Sequence, residues 1–85
     1  MFTLRHTING IAQLETVYPD RDDPLRKANE LWGQRNEIAR ALGIPAAQCQ
    51  VRFEIASDTG TQQDHGDVLQ EIRQRPELRE PPKRR

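Results

Sequence analysis

Apolar and polar positions alternate almost from the first residue of the chain. Phe2, Leu4, His6 and Ile8 fall on one side of an extended segment, and Thr3, Arg5 and Thr7 on the other. That is the period of a strand with one buried face. Asn9-Gly10 follows, a dipeptide suited to the positive φ angles of a tight hairpin, and Ile11 to Tyr18 reads as a second strand. Two registers compete. A two-residue turn at Asn9-Gly10 sets Leu4 opposite Glu15 and Phe2 opposite Val17. A three-residue loop, Ile8-Asn9-Gly10, sets Leu4 opposite Leu14 and His6 opposite Ala12, with Tyr18 on the same face just past the first strand's end. The second register gathers more apolar residues on one face and places Gly10 at a bulge, and a one-residue slip would invert that face. The expectation is the bulged loop.

The period then changes. Pro19 to Asp23 breaks the strand, and Asp23-Pro24 offers an N-cap followed by proline at the first helical position. Leu25, Ala28, Leu31, Trp32, Ile38, Ala39 and Leu42 trace one helical stripe, with Lys27, Glu30, Gln34, Glu37 and Arg40 mainly opposite. Gly43-Ile44-Pro45 is a strong stop. The pattern predicts one long helix from Pro24 to Leu42. Gly33 lies inside it at a cost of roughly 1 kcal/mol against alanine, and beside Trp32 it reads as a point of close packing between helix and sheet in preference to a partner surface.

A third strand is written in the alternation of Cys49, Val51, Phe53 and Ile55 with Gln50, Arg52 and Glu54. Ser57 to Gly66 reads as a polar loop. Asp67 caps a short helix ending at Arg75, with Val68, Leu69 and Ile72 turned inward. Pro76 to Arg85 holds three prolines and ends in Lys83-Arg84-Arg85, and is expected to be a mobile basic tail. The fold class is α+β, in the order β-β-α-β-α: a three-stranded sheet with a long helix on one face and a short C-terminal helix. One domain covers residues 1–75 and the tail covers 76–85. The third strand lies either parallel to the second or beside the first, and both arrangements leave two sheet edges free to pair with another chain.

Composition narrows the functional classes. The chain has 85 residues, 34% of them hydrophobic and 31% charged, with 13 basic residues balancing 13 acidic ones. Scarce hydrophobics without net charge do not make the usual disordered chain. A domain this small buries only about 60% of its unfolded surface, and Cys49 is its single cysteine, so no internal disulfide reinforces the core. Self-association as a homodimer, or a bound protein partner, would complete it. A lone cysteine, no signal-peptide pattern at the N-terminus and no apolar run of about 20 residues fit a cytoplasmic protein without membrane attachment.

Candidate chemistry is sparse. His6 falls on the inward face of the first strand, where a hydrogen-bonded core histidine is the expectation. Asp64-His65-Gly66-Asp67 sets two carboxylates around an imidazole, a set that could ligate a metal but that a turn and helix cap explains better. Asp20-Arg21-Asp22-Asp23 lacks the glycine and distal glutamate of a calcium loop. Cys49 reads as a small inward hydrophobe. Asp58, Asp64, Asp67 and Glu54 could cluster, yet acid–base work by paired carboxylates needs a pocket. Gly60 and Gly66 do not match a phosphate-binding loop, and no cofactor motif is present.

Three functional classes remain. The leading one is a small non-catalytic accessory protein that binds another macromolecule through a sheet edge or an uncovered face, of the size common among phage and mobile-element proteins. Its candidate contacts are Arg5 on the first strand with Thr3 and Thr7, Arg52 and Glu54 on the third, and Arg35 and Arg40 on the helix. The second is nucleic-acid binding through Arg26, Lys27, Arg35 and Arg40 together with the basic tail, against which stand a pI near 6.7 and the lack of aromatic residues interleaved with basic ones. The third is an enzyme whose site forms at a dimer interface from His6, His65 or Cys49 of two chains.

Overall fold

The computed structural model of the chain describes residues 1–79. Four antiparallel strands, β1 (Phe2–Ile8), β2 (Ile11–Tyr18), β3 (Val51–Ser57) and β4 (Gln62–Gln63), form one sheet in the order β2-β1-β3-β4. Helices α1 (Asp22–Gly33) and α3 (His65–Gln74) pack on one face of it, with α2 (Arg35–Ala41) continuing from α1. The α+β class follows directly from the alternating and helical periods of the sequence. The third strand lies beside the first, antiparallel to it, with Leu4 opposite Ile55 and His6 opposite Phe53.

The hairpin departs from the expected register. Ile8 pairs with Ile11 across a two-residue Asn9-Gly10 turn, both residues having positive φ (52° and 82°), as the twist of a hairpin favours. The bulge lies instead inside β2. Thr7 faces Ala12 and His6 faces Leu14, leaving Gln13 as the extra residue, after which Leu4 faces Thr16 and Phe2 faces Tyr18. A turn that suits Asn-Gly and a strand bulge that restores the apolar face are thus both satisfied, with no trade between them. Asn9 also binds the start of β3: its N–H donates to the Gln50 carbonyl (2.9 Å), and its Oδ1 accepts from the Gln50 N–H (2.8 Å).

The long helix is two helices. At Gln34 the backbone leaves the helical region (φ −94°, ψ 5°), and its N–H is shared between the carbonyls of Glu30 (3.1 Å) and Leu31 (3.2 Å). Gly33 is exposed there, and a Cβ added to it would meet nothing within 4 Å. It therefore does not mark close packing against the sheet, and its backbone is not in the left-handed region, so the bend falls at Gln34 rather than on a glycine conformation. The helix also begins earlier than expected. Asp22 and Asp23 lie within the first turn and no side chain caps it. Asp22 pairs instead with Arg75 at 2.8 Å, and Asp23 lies 3.8 Å from Arg26. The C-terminal stop forms as read: Gly43 takes φ 72°, its N–H donates to Arg40, and the Ile44 N–H donates to Ala39, a Schellman closure.

Three further corrections concern the C-terminal third. The polar loop contains β4, whose Gln62 and Gln63 pair with Ala56 and Ile55. The short helix starts two residues before Asp67 and is capped by Asp64, whose Oδ1 accepts the Asp67 N–H at 3.0 Å while the Asp67 carboxylate receives the Asp64 N–H, a capping box. Order also continues past residue 75. Pro76–Arg79 form a 3₁₀ turn that delivers Leu78, 2% exposed, into the core with Leu4, Ile8, Leu25, Phe53, Ile55, Val68 and Ile72. The remainder of the expected tail, 80–85, lies outside the described residues.

Candidate interaction surface

The helices divide the sheet into a dry face and a bare one. On the dry face, Phe53 is fully buried between two imidazoles. His6 stacks on one side with ring centroids 5.1 Å apart and His65 on the other at 5.7 Å, while Trp32 meets Phe53 and His65 edge-on. His6 is 3% exposed, and its Nε2 has no hydrogen-bond partner among the described residues. It behaves as a stacked aromatic, not as the hydrogen-bonded core histidine expected. Burial holds its pKa below the ordinary 6.5.

His65 has a different task. As the first residue of α3 it reaches across to β3, where its Nδ1 accepts the Phe53 N–H at 3.2 Å. Strand β4 is too short to pair there, so an imidazole takes the place of a strand carbonyl. Burial is the main cause lowering its pKa; the Arg52 charge adds to this, and Asp64 opposes it. The neutral form is the one that can accept this bond. Among the described residues, no group of three or more His, Cys, Asp or Glu side chains is placed to hold a metal ion.

The bare face carries the odd-numbered side chains of β1 and their cross-strand partners, which form three rows. Val17, Thr3, Ala56 and Gln62 form the first; Glu15, Arg5 and Glu54 the second; Ala12, Thr7 and Arg52 the third. Thus Arg5, Arg52 and Glu54 share one surface, as their alternation in the sequence implies. Arg5 stands in register between two carboxylates, and Val17 is 54% exposed at the end of its row. The four charges on this face sum to zero, and no aromatic side chain is on it.

Arg35 and Arg40 lie elsewhere, on α2. Arg35 is committed within the molecule: its Nη1 donates to the Trp32 carbonyl at 2.7 Å and its guanidinium lies 4.4 Å above the Trp32 ring. It caps the end of α1 and covers the indole. The helix face that the nucleic-acid reading would use is largely spoken for, since Arg26 pairs with Asp23, Lys27 with Glu30 at 3.6 Å, and Arg35 with Trp32. Arg40 is exposed. Cys49 is half-buried against the core's margin, beside Trp32 and Arg35.

Sequence reasoning missed a further cluster. Glu71 of α3 receives Arg21 and Gln63 on Oε1 and Arg75 on Oε2, and Arg75 also binds Asp22 and Glu77. This network ties the start of α1 to the end of α3. Burial works against ionisation of Glu71, but the Gln63 and Arg75 hydrogen bonds, with the two guanidinium charges, outweigh it and lower the pKa. Only the i, i+4 spacing of Glu71 and Arg75 was visible in the sequence. No helix among the described residues is long and apolar enough to cross a membrane. Comparison with protein-family models, with curated proteins and with solved structures gave no match to this chain.

Proposed function

We propose that this chain is a non-catalytic accessory protein that binds another protein, a second copy of itself included, through the bare face of its sheet. The observation that carries this reading is the arrangement of that face: an acid–base–acid row across the middle, flanked by the short side chains of Val17, Thr3 and Ala56 on one side and of Ala12 and Thr7 on the other. Two such faces are complementary. Sliding one copy by a single strand spacing, about 4.8 Å, sets each Arg5 against a carboxylate of the other, and a two-fold arrangement satisfies both sides equally. Val17, Thr3 and Ala56 are small enough to let the sheets approach. Single-stranded nucleic acid is less well served, because bases stack on aromatic platforms and Phe2, Tyr18, Trp32 and Phe53 belong to the covered side. A shared enzyme site is not favoured either, since His6 and His65 pack against Phe53 between sheet and helices and Cys49 lies at the margin of that layer.

Light scattering after size-exclusion chromatography, at two protein and two salt concentrations, tests the reading. The expected result is a concentration-dependent dimer that Arg5→Glu, alone, disrupts and that high salt weakens. A wild-type monomer under every condition removes the self-association half. Crosslinking from Arg52→Cys, in a Cys49→Ser background, to no protein then removes the rest.

A further inference from the structure

At the end of the sheet opposite the hairpin turn, the layer between strands and helices opens into a cleft of about 330 Å³. Its floor is apolar, made by Phe2 of β1 and Ile55 of β3. Its rim is polar, with the hydroxyls of Ser57, Thr59 and Thr61 on the β3–β4 turn and Arg21 across from them, ahead of α1. This size lies at the lower end of small-ligand pockets, and an apolar floor with a few convergent polar groups is their usual composition.

Arg21 is the informative residue. It is half exposed and uses one of its guanidinium nitrogens on Glu71, leaving most of its five N–H donors unspent among the described residues. Glu71 has two other partners besides Arg21, Gln63 on Oε1 and Arg75 on Oε2. The Ser57 and Thr59 hydroxyls are hydrogen-bonded to each other, so the rim's strong unspent group is a cation. Planar, bidentate recognition of a carboxylate is what a guanidinium in that position does best.

We infer that this cleft captures the carboxy-terminus of a partner polypeptide ending in an aliphatic residue. The last side chain rests on Phe2 and Ile55, and the terminal carboxylate is taken by Arg21. The inference builds on the protein-binding function proposed above but uses a separate surface, since the cleft lies on the helix side of the sheet. One ligand chemistry, an aliphatic group bearing a carboxylate, could also be supplied by a free short-chain acid, and the test separates the two.

The test is titration of the ¹⁵N-labelled protein with three probes: the peptide acetyl-Gly-Gly-Ser-Val-Leu with a free carboxylate, the same peptide amidated, and hexanoate. The expected result is saturable movement of the Arg21 and Thr59–Gln63 amide signals by the free-acid peptide. Amidation, Arg21→Gln or Phe2→Ala should each weaken binding at least tenfold, and Arg21→Lys should restore part of it. Because Arg21→Gln also loosens Glu71, Phe2→Ala serves as the independent variant, with circular dichroism confirming the fold of both. Equal binding of acid and amide, or no movement at millimolar peptide, overturns the inference. Hexanoate binding as tightly as the peptide overturns it in favour of a small-acid site. Self-association measured on the same samples keeps the two proposals apart: an inert cleft in a protein that still dimerises sinks only the cleft.

Discussion

The two faces of the sheet are made by the same strands and obey opposite rules. On the covered face, Leu4, Ile8, Phe53 and Ile55 are almost wholly removed from water, and even a histidine gives up a hydrogen bond to stack there. On the bare face, one residue away along each strand, the side chains of Thr3, Arg5, Arg52 and Glu54 make no hydrogen bond or ion pair among the described residues. The first set decides whether the chain folds. The second is free to be selected for what it touches, because a solvated position constrains stability little. In a domain this small the division is sharp, since one layer of helices is all the chain can supply.

The comparison yields graded expectations. Phe53→Ala should have the largest effect, about 3–5 kcal/mol in denaturant unfolding, because it removes the centre of the His6–Phe53–His65 stack. Glu71→Gln should cost about 1–2 kcal/mol, read the same way, since Arg21 and Arg75 lose a mostly buried counter-charge. The pH dependence should be smaller. His6 and His65 both have pKa values lowered from 6.5, so below that pH the unfolded chain binds protons that the folded one excludes. Stability should be full above about 6.5 and fall as pH drops through the folded values, by about 0.5–1.5 kcal/mol for the bond that protonated His65 gives up. His65→Asn, which keeps an acceptor without titrating, should flatten that part of a melting-temperature profile. Gly33→Ala should act in the opposite sense, raising stability by about 0.5–1 kcal/mol; a loss would mean that the bend at Gln34 needs glycine. Arg5→Ala, on the bare face, should shift unfolding by less than about 0.5 kcal/mol while abolishing dimerisation. A large unfolding effect there would erase the distinction between the faces.

Much of this division was legible in the sequence, because a two-residue period assigns a face to each side chain before any contact is known. Arg5 on the first strand and Arg52 and Glu54 on the third were each assigned to the wet side on that basis, and the pairing of β1 with β3 brings them together. What was not legible depends on geometry between distant segments. Counting apolar pairs could not separate a bulged loop from a tight turn with a bulge at Gln13, because both restore the same face. Gln62 and Gln63 carry no strand pattern, and β4 exists because the preceding turn folds them back on Ile55 and Ala56. Arg35 looked like one more surface cation; its role follows from the carbonyl and indole that the bend at Gln34 exposes to it. The cleft draws on three separate stretches of chain, so no local spacing announces it.

The Asn9-Gly10 turn has a further consequence, in the order of events during folding. Strand β1 is central, so its two neighbours arrive by different routes. Strand β2 is reached through two residues, whereas β3 must return across the whole helical segment, at a much larger loop-closure entropy. The hairpin is the half that can form early, within microseconds. When it does, Asn9 already offers, in its backbone N–H and its side-chain Oδ1, the donor and acceptor that Gln50 will meet. The turn that ends the first strand is thus also the docking point that aligns the third, and the register of the distant half is set by the tip of the local one.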